Sequence, residues 1–112
     1  MNSIVQTILR AGIRATIEKP EKEKGVTGSI RITGWKSSMV EVPCWPQDAK
    51  SDVRDMFSSI GVPVDSSIFF AENPKVEDGD RIRVKDMFYV VRGVVNVGSL
   101  DRLWHVAAKR YS

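Results

Sequence analysis

Asp78-Gly79-Asp80-Arg81-Ile82-Arg83-Val84-Lys85-Asp86-Met87-Phe88-Tyr89-Val90-Val91-Arg92-Gly93-Val94-Val95-Asn96-Val97 is the stretch that decides the fold. Residues 81–85 alternate apolar and polar, with Ile82 and Val84 set to face inward. Residues 87–97 form a second long alternating run through Phe88, Val90, Gly93, Val95 and Val97. A period of two is the pleat of a strand with one buried face. Lys85-Asp86 leaves room only for a tight connection, so the two runs read as a β-hairpin, although the pair lacks the glycine that two-residue loops prefer. The preceding Val76-Glu77-Asp78-Gly79-Asp80 reads as a turn.

Toward the C-terminus, residues 96–101 read as a loop. Residues 103–109 set Leu103, His105 and Ala107 against Trp104, Val106 and Ala108. Helix propensity is adequate there, but a last strand would close the sheet after a meander, and strand is the reading adopted. Toward the N-terminus, Ile68-Phe69-Phe70-Ala71 is a short apolar strand stopped by Asn73-Pro74. Residues 51–60 place Val53, Met56, Phe57 and Ile60 at i, i+3, i+4 and i+7. That spacing predicts a helix capped by Ser51 or Asp48 and ended by Gly61 and Pro63; so short a helix must dock its stripe on the sheet.

Further upstream, residues 29–35 and 39–45 each alternate, with Lys36-Ser37-Ser38 as the turn between them and Val40 and Val42 facing one way. Pro43 and Pro46 lack amide donors, so this second strand is expected at a sheet edge or leaving the sheet. Residues 13–17 read as the first strand. Ile4, Val5, Ile8 and Leu9 share one face of a short helix over residues 3–11 that Gly12 ends. Residues 19–28 mix opposite charges with one proline and two glycines, and read as a mobile charged loop within a single domain spanning residues 1–112. The fold class expected is mainly β: a small barrel or sandwich with one short internal helix and a short N-terminal helix.

The 112 residues are 42% hydrophobic, enough for one modest core. No run approaches the roughly 20 apolar residues of a membrane helix, and the opening is too short and uncharged for a secretory signal, so a cytoplasmic protein with no membrane role is expected. Cys44 is the single cysteine and His105 the single histidine, which leaves neither a disulfide nor a Cys/His metal site. The 17 basic and 14 acidic residues give a net charge of +3 without a dense basic block. A nucleic-acid footprint is therefore diluted.

Chemistry is equally sparse. Cys44, between two large or rigid neighbours in Pro43 and Trp45, reads as a packing thiol, and His105 as a half-buried structural residue. Asp78 and Asp80 flank Gly79 as turn formers. No phosphate-cradling glycine loop is present, and no small-molecule substrate or cofactor is implied. Trp35, Trp45 and Trp104 read as anchors of the core or its rim. The expectation is a protein that binds other macromolecules and is not an enzyme.

Residues 65–110 resemble the head-closure or head-tail joining proteins of long-tailed bacteriophages and prophages. The resemblance is carried by Ile68 to Phe70, by Asp78-Gly79-Asp80-Arg81-Ile82-Arg83-Val84, by Phe88-Tyr89-Val90-Val91-Arg92-Gly93-Val94, and by Leu103-Trp104-His105-Val106. The helix at 51–60 departs from the simplest members of that family. The resemblance implies a structural protein of the virion neck that assembles in the host cytoplasm as a ring below the portal. It would close the channel after DNA packaging and offer the tail a docking surface, with portal or adaptor proteins and tail components as partners and packaged DNA within reach. A monomer in isolation suits such templated assembly. The contact residues expected are Lys19, Glu21, Lys22, Glu23 and Lys24 of the charged loop, followed by Trp35, Lys36, Trp45 and Gln47. The alternatives are a tail terminator, or an oligonucleotide-binding barrel in which Arg31, Arg81, Arg83 and Arg92 line a groove and Phe88 or Tyr89 stacks bases.

Overall fold

The computed structural model describes residues 3–111. The elements in chain order are α1 (Ser3–Ala11), β1 (Arg14–Lys24), β2 (Ile30–Asp48), α2 (Ser51–Ser58), β3 (Ser66–Phe70), β4 (Arg81–Val84), β5 (Met87–Asn96) and β6 (Trp104–Tyr111), with a 3-10 turn at Val97–Ser99. All strand pairs are antiparallel, and the sheet closes on itself in the order β1-β2-β3-β6-β5-β4. Of the two architectures open to the sequence, the barrel is the one formed.

The hairpin of β4 and β5 turns where the alternation places it, with Val84 opposite Met87 across Lys85-Asp86. Lys85 adopts the left-handed backbone (φ 54°) that glycine usually supplies. Ile82 and Val84 point inward and are buried. In β5, Tyr89 and Val91 are the inward residues, and the register then slips between Val91 and Gly93. This bulge at Arg92 keeps Phe88, Val90, Gly93 and Val95 all on the outside. β6 is a strand, as read, and Trp104, Val106 and Ala108 are its inward face.

The core is made by Ile17, Val42, Cys44, Ile68, Phe70, Ile82, Val91 and Val106, joined by smaller neighbours such as Ala15 and Ala108. These side chains come from all six strands, so no pair of strands holds a core alone. Ile8 of α1 is also fully buried, outside this central cluster.

Several readings are corrected. Residues 19–24 are not a loop: they continue β1 and pair with residues 30–36 of β2, leaving only residues 25–29 as a turn. Composition misled here because a two-stranded ribbon in water has no buried face and so carries no hydrophobic alternation. Lys36-Ser37-Ser38 is not a turn either: β2 runs unbroken for 19 residues, and register shifts against β1 bend the strand in place of a turn. Glu41 (φ 55°) marks one such irregularity, and it leaves Val40 in solvent while Val42 enters the core, so the two valines do not share a face.

Pro43 and Pro46 lie where β2 is paired on one side only, a local edge at the end of the strand. β2 changes neighbours at this point, from β1 up to Pro43 to β3 from Cys44 onward. Each proline thus lies where one of the two neighbours has ended, and a missing donor is tolerated.

α2 forms where the stripe predicted it, but its cap and docking differ. Lys50 is the N-cap residue and makes no side-chain cap, so neither Ser51 nor Asp48 fills that role; the Asp52 carboxylate accepts the Val53 N–H instead (2.9 Å). Val53 and Phe57 are half-buried, whereas Met56 and Ile60 are 58% and 70% exposed. The physical reason lies in the surface beneath. Gly93, Ala107 and Ser67 are neighbours across β5, β6 and β3 and form a shallow track of small residues. A Cβ built on Gly93 would meet Phe57 Cζ at 3.0 Å. One aromatic ring fits this track, so the helix leans on the sheet by one edge of its stripe.

Candidate interaction site: a hairpin arm and its charged root

The barrel holds only parts of its two longest strands. β4 pairs with β1 through Thr16, Ile17 and Glu18 alone, and β3 pairs with β2 only from Cys44 to Asp48. Beyond Glu18, the rest of β1 and the facing residues of β2 have only each other, and they leave the barrel as a two-stranded arm. Residues 19–24 span about 20 Å at the rise of an extended chain. The molecule measures 53 × 33 × 27 Å with a radius of gyration of 14.7 Å. A compact chain of this length would have a radius near 13 Å.

The tip is closed by the Gly25 N–H donating to Ser29 O (2.7 Å) and the Gly28 N–H donating to Gly25 O (2.9 Å), with Gly28 at φ +85°. Val26 at the tip is fully exposed, and Ile30 and Ile32 behind it are 68% and 52% exposed. Opposite charges run along the other strand, where Glu23 meets Arg31 at 3.4 Å. Both open edges are guarded against stray strand pairing. β1 carries Pro20 and alternating Glu and Lys, while β2 is irregular at Thr33, whose hydroxyl donates to Glu21 O (3.2 Å).

Two charged clusters anchor the root of the arm. In the first, Lys19 reaches from β1 to the turn before β4, where its ammonium pairs with the buried Asp80 carboxylate and donates to Lys75 O (2.8 Å). Asp80 also accepts the Glu77 N–H (2.9 Å), so the same carboxylate shapes the turn and holds the arm. In the second, Arg81 Nε donates to Glu18 Oε1 (2.9 Å), and its guanidinium lies between the rings of Trp35 (4.3 Å) and Phe88 (4.6 Å). Phe88 in turn stacks on Tyr111, with centroids 5.8 Å apart. Burial disfavours the Arg81 charge, but hydrogen bonds to Glu18 and Tyr111 outweigh it and raise its pKa above the ordinary value. Each desolvated cation–π contact adds about 1–2 kcal/mol. The direction in which the arm leaves the barrel is therefore fixed by packing at its base.

The expected contact residues separate into two groups. Lys19, Glu21, Lys22, Glu23, Lys24, Trp35 and Lys36 all belong to the arm or its root. Trp45 and Gln47 do not. They lie on the outer face of the β2–β3 wall, opposite Phe69 and Ser67, with Trp45 beside Arg10 and Ala11 of α1.

The basic residues considered for nucleic acid do not converge. Arg31 is on the arm and paired, Arg81 is enclosed at the root, Arg83 is exposed on β4, and Arg92 meets Asp78 at 3.5 Å. Tyr89 is buried with its phenol pKa raised by desolvation, and Phe88 is already occupied by Arg81 and Tyr111.

Glu18 and Asp80, which hold the root of the arm, are absent from the contact residues expected from the sequence. Their partners lie 63 and 61 residues away, and no local pattern signals such a pair. Cys44 is fully buried and its thiol is pushed up to about 12 by burial, only slightly opposed by Arg14. His105 is held by Ser67 (Nε2 to Oγ 2.7 Å) and stacks on Phe69 at 4.8 Å; burial lowers its pKa, with Asp52 opposing. Both are packed as structural groups. Comparison of the chain with known proteins finds no matching family model and no matching curated protein.

Proposed function

We propose that this protein is a structural assembly component of the neck of a tailed phage or prophage, one that closes the portal channel after DNA packaging and presents a docking surface to the tail. The observation that carries the reading is the arm: a long ribbon with an apolar tip, rigidly set at its root on a small closed barrel and guarded along both edges. Such a ribbon is costly to leave in water and gains its function only when a neighbour covers it. The barrel supplies the scaffold, and the arm supplies contacts made in the assembled ring, where neighbouring subunits and the portal or adaptor proteins surround each copy. The oligonucleotide-binding alternative is weakened, because Arg81, Phe88 and Tyr89, the groups it needs, are engaged within the protein.

The test is reconstitution. Purified protein is added to DNA-filled, portal-bearing heads that lack it, and DNA retention and tail attachment are measured. Association with heads, retained DNA and restored tail joining are the expected result. Absence of association, together with normal retention and tail joining in heads without the protein, would remove the proposal.

A further inference from the structure

The arm and α2 lie across the barrel from one another. In the closed order β1-β2-β3-β6-β5-β4, β6 is three places from β1 and β5 three places from β2. The arm extends β1 and β2, whereas α2 rests through Phe57 on Gly93 of β5. Each side carries apolar side chains left in water: Val26, Ile30 and Ile32 on the arm, and Met56, Ile60 and Val95 on the α2 side. Their charges are complementary as well. On the arm and its root Lys19, Lys22, Lys24, Arg31, Lys36 and Arg81 outnumber Glu18, Glu21, Glu23 and Asp80, while over residues 48–55, on α2 and the segment leading into it, Asp48, Asp52 and Asp55 outnumber Lys50 and Arg54.

From this placement we infer that the arm of one copy docks on the α2 side of a second copy of this chain. The contact is head-to-tail and uses two different surfaces of each subunit, which is the geometry that generates a ring when the rotation closes. The inference rests on the ring-forming reading above and specifies the faces that meet. Burial of two sets of apolar side chains supplies the attraction, and the unlike charges set the orientation.

The charge pattern of the arm argues against the other self-contact, arm to arm about a two-fold axis. Two β1 edges paired antiparallel about an axis at Lys22 bring Lys22 against Lys22 and Glu21 against Glu23. An axis at Glu23 brings Glu23 against Glu23 and Lys22 against Lys24. Like charges directly opposite are repulsive.

The experiment uses full-length Val26→Cys and Ile60→Cys variants, both at exposed positions, with a short bis-maleimide at high protein concentration. The buried Cys44 thiol does not compete. An equal mixture of the two variants is expected to give several-fold more covalent dimer than either variant alone, and the V26C/I60C double variant a ladder of higher species. Ile30→Asp, a second exposed apolar position on the arm, added to the double variant is expected to abolish the ladder. The inference is overturned if V26C alone cross-links to itself as efficiently as the mixture does, or if the mixture stays monomeric.

The two proposals fail separately. Cross-linking between Val26→Cys and Ile60→Cys with no recruitment to heads leaves the subunit contact standing and removes the neck reading. Recruitment to heads with no such cross-link, on the heads or in solution, leaves the neck reading standing and removes this contact.

Discussion

Gly93→Ala tests where α2 sits. A Cβ at this position would lie 3.0 Å from Phe57 Cζ and 3.1 Å from Cε1. Carbon atoms in ordinary contact are 3.5–4.0 Å apart, so the ring has to retreat by about half an ångström or more, or the helix has to tilt. Overpacking of this kind costs roughly 1–3 kcal/mol. The lower part of that range applies, about 1–2 kcal/mol, because α2 is at the surface and its exposed Met56 and Ile60 leave it room to move. Phe57→Ala removes a half-buried ring and loses about 2 kcal/mol, half of what a fully buried phenylalanine is worth.

In the double variant F57A/G93A the clashing atoms are gone, so its loss is expected to match that of F57A alone, with a coupling energy of about 1–2 kcal/mol. Urea unfolding followed by tryptophan fluorescence measures all four proteins, with a shifted midpoint at unchanged slope as the two-state control. Additive losses in the double variant would show that the ring does not lie on Gly93, and the assignment of α2 to this wall of the barrel would be wrong.

Arg81→Gln is expected to lose about 2–4 kcal/mol in the same assay, because it strands the buried Glu18 carboxylate, whereas E18Q/R81Q loses less than R81Q alone; a double-variant loss equal to the sum of the E18Q and R81Q losses would mean that the pair is not coupled. Stability should fall on acidification through the range of His105. Burial holds its folded pKa below the unfolded value of 6.5, so its contribution is complete above about pH 6.5 and is lost as the pH falls through the lowered folded pKa. Asp65 is also lowered, by hydrogen bonds from Arg110, Ser66 and Lys109 that outweigh its desolvation, but its loss begins only below its ordinary 3.8. His105→Gln is expected to flatten the urea midpoint between pH 7 and 5, and an unchanged slope would assign the effect elsewhere. Replacing residues 22–32 by a two-residue turn is expected to leave barrel stability within about 0.5 kcal/mol, since that part of the arm touches no core residue; a larger loss by thermal or urea melting would mean the arm supports the fold.

Much of the barrel was legible from local pattern. The alternation over β4 and β6 records burial on one side, which leaves a period in the chain whatever it packs against, whereas in β5 the run through Phe88, Val90, Gly93 and Val95 marks the strand but faces outward, and Tyr89 and Val91 fill the core. The arm left no such trace. Its residues face water on both sides, so charge and a proline dominate its composition, and the same features that mark a loop also suit an exposed ribbon with guarded edges. The turn assigned to Lys36-Ser37-Ser38 failed for a related reason: polar small residues serve equally in a turn and in a bulge, and only the length of the facing β1 distinguishes them.

By itself, then, the amino-acid sequence determined the kind of structure: mainly β, with two short helices and the inward face of β4, because each of these depends on residues a few positions apart. The tertiary structure alone decided that the sheet closes into a barrel, that β1 and β2 outrun it as an arm, and that Lys19 with Asp80 and Glu18 with Arg81 fix the arm at its base. Those outcomes depend on which surfaces meet across about 60 residues of chain, and loop closure over that distance is set by the packing of the whole core and is written in no short stretch of it.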